Sequence, residues 1–361
     1  MNDLGKLEEN VISSLRALYH KCGYSRFKMS KFEPYDLYMK NKEFLVSDGV
    51  ITFTDTDGTL MALKPDVTLS IVKNFREKNT SVQKVCYDEN VYRIAGASRT
   101  YREIMQSGLE CLGDIGLYEI GEVLCLAAKS LAAISEDFVL DITHMGIVFR
   151  ILSQFRLDRN ETSEVLRLLN DKNSDALVDM LGSQRAEELL ALLAVSGPFS
   201  QVKDALRELA DEETFNRICT VFRLLERAGL GDKVTLDLSI IADDNYYNDF
   251  VFRGYIDGIP SAVLAGGQYD KLMEKMGKHA GGVGFAVYLD QLELLDTRVD
   301  AHDIDTLVLY GDADDAVSLA DAVAELTAPS VMTARSIPAG IRYRKLMRFE
   351  SGRLITIEEN G

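Results

Sequence analysis

Histidine is scarce in this 361-residue chain and dispersed, with four residues at His20, His144, His279 and His302. That distribution argues against a histidine-based metal site or catalytic triad. The five cysteines, Cys22, Cys86, Cys111, Cys125 and Cys219, are odd in number and never spaced C-x-x-C. A zinc site is therefore not expected, and scattered thiols fit a reducing cytoplasm. No apolar run approaches the ~20 residues that span a bilayer. The opening residues, M-N-D-L-G-K-L-E-E-N, lack the apolar core of a signal peptide. Positive charge is also in deficit. Lys+Arg 40 against Asp+Glu 57 gives a net charge of −17. A field of that sign opposes polyanions, and no lysine- or arginine-rich stripe offsets it, so nucleic acid is not an expected partner. Internal repeats and low-complexity segments are lacking too.

What is present is the composition of a globular chain, 47% apolar and 27% charged, long enough for two or three well-buried cores. The most informative stretch runs from Val91 to Gly113 and reads as two antiparallel strands joined by a loop, 95–101. Side chains alternate across a strand, so Arg102, Ile104, Gln106, Gly108, Glu110 and Leu112 share one face of the second strand. Gly108, between an amide and a carboxylate, would let a ligand lie flat on the strand. Arg93 brings a cation to the same region. A small zwitterion suits this set, with its carboxylate at the arginine and its amines at Glu110 and Gln106. An ordinary solvated sheet face would carry the same charges.

In chain order, Leu4, Leu7, Val11, Leu15 and Leu18 predict an amphipathic helix ending at Gly23. A short strand is expected near Phe27 to Phe32. Ile51–Phe53 and Leu60–Leu63 form a hairpin around Asp57-Gly58. In L-K-P-D-V-T, Leu63 to Thr68, Pro65 stops the strand and Thr68 is placed to cap a helix running to Phe75; Asp66 alone reads as a turn residue. A strand at Val85–Tyr87, a helix at Leu117–Ile134 and a strand at Phe138–Thr143 follow. Leucines at helical spacing then predict an insertion of four or five helices over 146–232. A strand returns at Val234–Ala242, followed by a tyrosine-rich segment, Asp243 to Tyr255, and by A-G-G-Q-Y-D-K-L, Ala265 to Leu272. Gly281, Gly282 and Gly284 lead toward a strand and a helix, and would either cradle a phosphate or let backbones pack closely. The tail, 299–361, reads as a small α/β unit.

Six ordered segments between residues 4 and 295 resemble a class II aminoacyl-tRNA synthetase, specifically histidyl-tRNA synthetase. L-K-P-D-V-T is similar to that family's L-R-P-E-G-T. Tyr92 to Gly113 resembles its second signature motif, N-Y-Y its D-Y-Y, A-G-G-Q-Y-D its A-G-G-R-Y-D, and G-F-A-V-Y-L-D-Q-L its third motif. The helical insertion falls where that family carries one. The resemblance implies an α+β fold: an antiparallel sheet flanked by helices (1–145 and 233–298), the helical insertion (146–232) and a shortened C-terminal α/β domain (299–361). It also implies a histidine pocket. Asp66 stands where a glutamate binds the α-amino group, with Thr68 beside it. Gln106 and Glu110 match the residues that hold the amino group and the imidazole. Tyr247 matches the tyrosine that reaches the ring.

The chemistry of that family does not carry over. Adenylation needs cations on the phosphates. The arginine that holds ATP is replaced by Gln291, and the catalytic arginine before D-Y-Y by Ala242. Ala95 replaces the glutamate of F-R-x-E, and Tyr288 replaces a glycine and would crowd a nucleotide. Losing one such cation commonly costs ~10² in rate. Lys64, Asn245, Asn248 and Gln268 are further departures. A retained histidine pocket without ATP chemistry or tRNA binding resembles one paralogous family, the regulatory subunits of short-form ATP phosphoribosyltransferase, which typically show L-R-P-D-x-T. This resemblance implies a non-catalytic, cytoplasmic chain. Its partner would be the short catalytic subunit, joined to a homodimer within a larger hetero-oligomer. Histidine would be its feedback effector in histidine biosynthesis. Neither cofactor nor metal is expected. The alternatives are an adenylate-forming enzyme that does not charge tRNA, and an oligomerisation scaffold.

Overall fold

The structure, a computed structural model, describes residues 2–45, 49–76, 82–94, 100–242, 246–295, 303–311, 314–328 and 330–359. Ala95 and Asn245 lie outside these. The chain divides into two compact units, Met1–Leu294 and Leu295–Gly361.

Helix α1 (Asn2–Lys21) buries Val11, Leu15 and Tyr19 along one stripe, as the periodicity predicts. Gly23, at φ +83°, turns the chain out of the helix. Next come β1 (Ser25–Arg26), β2 (Phe32–Pro34), α2 (Tyr35–Met39), β3 (Thr52–Thr54) and β4 (Leu60–Leu63). The single strand expected near Phe27 to Phe32 is thus two short strands on either side of it. The hairpin of β3 and β4 turns at Gly58, φ +86°, as expected. α3 (Thr68–Asn74) is capped by Asp66, whose Oδ1 accepts from the Leu69 amide at 2.8 Å. Thr68 does not cap this helix, because its hydroxyl is committed elsewhere.

The long hairpin β5 (Gln83–Ile94) and β6 (Tyr101–Gly113) absorbs the separate strand expected at Val85–Tyr87. Its register pairs Glu89 with Gln106 and Val85 with Glu110. α4 (Leu117–Ala132) and β7 (Phe138–His144) follow. Among the described residues six helices come next: α5 (Met145–Ser153), α6 (Arg159–Asn170), α7 (Ser174–Leu181), α8 (Ser183–Leu193), α9 (Phe199–Leu209) and α10 (Glu212–Arg227). This is more than the four or five expected, because Gly182 splits one leucine-rich stretch into α7 and α8. A short strand, β8 (Ser196–Pro198), also interrupts the helices. Side-chain caps at Asp158, Asn173 and Asp211 start α6, α7 and α10.

β9 (Val234–Asp237), β10 (Phe250–Ile256), β11 (Leu264–Gln268), α11 (Asp270–Lys275) and β12 (Gly281–Tyr288) complete this unit. β9 is half the length expected, and Leu238 to Ala242 leave the sheet. Among the described residues the main sheet has nine strands, in the order β1-β5-β6-β12-β11-β10-β7-β9-β8. The six central strands pair antiparallel, while β1 on β5 and β9 on β7 are parallel. α4 covers one face. A Cβ on Gly254 of β10 would lie 2.5 Å from Leu131 of α4, and one on Gly121 of α4 would lie 2.5 Å from Leu224 of α10. These two glycines let α4 sit tightly between sheet and insertion. The opposite face, toward α3 and Tyr246, forms the pocket described below.

The second unit pairs β13 (Ile304–Leu309), β14 (Val331–Ala334), β15 (Tyr343–Glu350) and β16 (Arg353–Glu359) in the order β14-β13-β15-β16, with α12 (Ala316–Ala324). β15 does not show as a strand in the sequence. Its buried Leu346, Met347 and Phe349 are interspersed with Arg344, Lys345 and Arg348, which hide the apolar pattern.

Candidate functional site

β6, β12, β11 and β10 lie side by side, and their register builds a trough. Glu110 faces Gly284, which faces Gly267. Gly108 faces Ala286, Ala286 faces Ala265, and Ala265 faces Arg253. The small residues of β12 and β11 keep the floor low. Glu110 and Gln106 form one wall and Arg253 the other. α3 and the segment carrying Tyr246 and Tyr247 close the cavity from above. Its volume is about 390 Å³, within the span typical of small-molecule sites.

All six residues singled out from the sequence, Asp66, Thr68, Arg93, Gln106, Glu110 and Tyr247, line this one cavity. Gly108 plays a different part from the one expected. A Cβ there would collide with the Phe285 carbonyl and lie 2.6 Å from Tyr87 Oη. The space the glycine leaves is filled by the protein's own Tyr87, not kept for a ligand. The glycine that cradles the site is Gly284, where a Cβ would overlap the Glu110 carboxylate. The cluster Gly281, Gly282 and Gly284 lies inside β12, and a Cβ on Gly282 would strike the Tyr269 ring. Close packing, not phosphate cradling, accounts for Gly282 and Gly284.

Glu110 is 2% exposed. Its Oε1 accepts from Thr68 Oγ1 at 2.8 Å and its Oε2 from Tyr269 Oη at 2.5 Å. Burial pushes its carboxyl up to about 8, against the two hydrogen bonds, which favour the anion, and with the nearby Asp66 charge adding to the rise. Burial likewise raises Asp66, while its bonds to backbone amides and the Arg93 charge pull the other way. Arg93 is anchored by Nε donating to the Pro65 carbonyl at 3.0 Å. Two desolvated acids at one end of a cavity are poised to take a cationic amine or an imidazole, which would restore their charge.

A family model for histidyl-tRNA synthetase matches residues 4–292. The chain belongs to the histidyl-tRNA synthetase family. Within it, the chain is 27% identical over 301 residues to an ATP phosphoribosyltransferase regulatory subunit of Caldanaerobacter subterraneus, covering 80% of this chain and 78% of the relative. Its fold is similar to that of a Bacillus halodurans protein described as an ATP phosphoribosyltransferase regulatory subunit/histidyl-tRNA synthetase. That match has a TM-score of 0.78 and 22% identity, over 96% of this chain and 95% of that one. It is also similar to a chain of an ATP phosphoribosyltransferase complex from Thermotoga maritima, with a TM-score of 0.60 and 19% identity, over 78% and 97%. The fold is thus that of the class II synthetases, α+β with an antiparallel central sheet.

Against the family's motifs, Ala242 lines the cavity where the resemblance places a catalytic cation, and Tyr288 lines it where the resemblance places a glycine. Gln291 does not line the cavity; it accepts from Ser261 Oγ at 2.5 Å and donates to Asp290 Oδ2 at 3.1 Å. Lys64 is wholly buried and donates to Glu89 Oε2 at 2.9 Å, away from the cavity. Gln268 and Asn248 both donate to Asp270 Oδ2, at 2.7 and 3.0 Å. They therefore brace the loop after β11. Among the described residues no group of three metal-ligating side chains forms, and no helix is long and apolar enough to cross a membrane.

Sequence reasoning missed Arg253, Tyr246 and Tyr269 as cavity residues. Tyr269 was in view inside A-G-G-Q-Y-D, but only the fold brings its hydroxyl to Glu110. Arg253 did carry a signal. It is a lone charge within the otherwise apolar strand F-V-F-R-G-Y-I, and a lone charge in a central strand needs a partner or a ligand.

Proposed function

We propose that this chain is the non-catalytic regulatory subunit of a short-form ATP phosphoribosyltransferase. It assembles with the short catalytic subunit, activates it in the first step of histidine biosynthesis, and carries feedback inhibition by histidine. The observation that carries this reading is the content of one cavity. Asp66, Thr68, Gln106, Glu110 and Tyr247, the residues expected to hold histidine, meet there, while Ala242 stands where adenylation would need a cation. The names of the relatives and the Thermotoga complex support the same partner.

In this reading the imidazole lies at Glu110 and Tyr247, and the α-amino group at Asp66, Thr68 and Gln106. Histidine inhibits because it binds the inhibited assembly more tightly than the active one, since a ligand shifts an equilibrium only through differential affinity. The chain works as a homodimer within a larger hetero-oligomer.

The test is phosphoribosyl-ATP formation by the short catalytic subunit, with and without this chain, each with and without histidine. Activation that histidine reverses is the expected result. Activation insensitive to histidine would remove the pocket assignment, and no activation would remove the partner. Histidine-dependent exchange of pyrophosphate into ATP by the chain alone would replace this reading with the adenylating one.

A further inference from the structure

The cavity has two chemically opposite ends, and the second has no assigned role. Opposite the acids, Arg253 stands on β10, three strand steps across the trough from Gly108, about 14 Å at ~4.8 Å per step, and two residues further along the strand direction from the Glu110 row, before its side chain reaches back. The residue is half-buried. Among the described residues its hydrogen bonds come from Nη2, which donates to the Ile241 carbonyl at 3.0 Å and to Asn170 Oδ1 at 3.3 Å. No carboxylate among the described residues pairs with it. The Ile241 carbonyl it holds is next to Ala242, whose methyl group leaves that corner of the cavity without a charge of its own. Arg253 lines the cavity wall together with Tyr247 and Tyr288.

We infer that Arg253 binds the ligand's carboxylate and so makes the site select an amino acid over its decarboxylated amine. This rests on the reading that the pocket takes histidine, and it adds a specific residue to it. Arg93 is the competing cation, but its Nε is tied to Pro65 beside Asp66, at the end that receives the amine. A carboxylate at Arg253 instead keeps the two ends of a zwitterion at opposite walls. The remaining guanidinium donors, Nε and Nη1, suit a forked pair of hydrogen bonds.

Calorimetric titration with histidine and with histamine, which keeps the imidazole and amine but lacks the carboxylate, tests this. The wild-type chain is expected to prefer histidine by about 10- to 100-fold, the scale of a charge-assisted hydrogen-bonded pair. Arg253→Gln is expected to lower histidine affinity to the histamine level and to leave histamine affinity unchanged, so histamine binding also reports that the variant is folded. Arg253→Lys, which keeps the charge without the fork, should fall between them. An undiminished preference for histidine in Arg253→Gln overturns the inference alone, and more firmly if Arg93→Gln abolishes that preference. Binding of neither compound by the wild-type chain overturns the histidine reading and this inference together.

Discussion

Replacing Glu110 with glutamine should change how the empty protein's stability depends on pH. Glu110 titrates near 4.5 in the unfolded chain but is held up to about 8 in the cavity. Between those values the folded protein keeps a proton that the unfolded chain has lost, so stability falls as pH rises from 4.5 to 8. The full rise corresponds to roughly 5 kcal/mol, of which about 4 kcal/mol falls between pH 5 and pH 8.5. The group is buried, so solvent screening does not reduce the figure much. Glutamine has no proton to lose. Like the protonated acid it offers one carbonyl acceptor beside a donor to the Thr68 and Tyr269 hydroxyls, and its extra amide hydrogen adds an offset that does not vary with pH, so the slope, not the absolute stability, carries the test. Urea unfolding of both proteins without ligand, at pH 5, 7 and 8.5, should show Glu110→Gln gaining about 4 kcal/mol on the wild type across that range. A difference flat to within about 1 kcal/mol would refute the reasoning, because Glu110 would then be ionised and solvated in the empty cavity.

Other consequences follow from the same fold. His144 ends β7 with both ring nitrogens buried and unbonded among the described residues, packed edge-on against Phe250. Burial pushes its pKa down, with Asp249 opposing. Its contribution to stability is present above its ordinary 6.5 and is lost as pH falls below it, so His144→Leu should flatten the acid limb of a pH–stability profile. Removing the partner of the buried Lys64 by Glu89→Ala should cost about 3 kcal/mol in urea unfolding, and adding Lys64→Met should recover most of the loss, because the cost is an unpaired buried cation. Full additivity of the two changes would contradict that account. Gly284→Ala drives a methyl group into the Glu110 carboxylate. It should abolish histidine binding in calorimetry while the far-ultraviolet circular dichroism stays that of the wild type, and retained binding would move the ligand away from β12.

Part of the candidate site was legible from local chemistry, and the rest from the family resemblance. Gln106 and Glu110 stand four residues apart on one strand, so the alternation of a β-strand alone puts them on a common face. Asp66 and Thr68 stand two apart, just after a proline that ends a strand. The roles within such a cluster were less legible. Asp66 and Thr68 are both fit to cap a helix, and only the position of β6 decides that Thr68 turns to Glu110 and leaves the cap to Asp66. Gly108 and Gly284 look alike in sequence, yet one is filled by Tyr87 and the other holds the space around Glu110.

The sequence by itself determined the helical character of the insertion and the common strand face of Gln106 and Glu110, because periodicity and short spacing act within a few residues of the chain; its resemblance to the synthetases implied the class of fold and the other residues of the cavity. Only the tertiary structure decided that Arg253 faces the same cavity from a strand 143 residues beyond Glu110, that Tyr269 reaches Glu110 across 159 residues, and that burial raises the Glu110 carboxyl to about 8. Desolvation and long-range register depend on which strands pair and on what covers them, and no stretch of sequence carries that information locally.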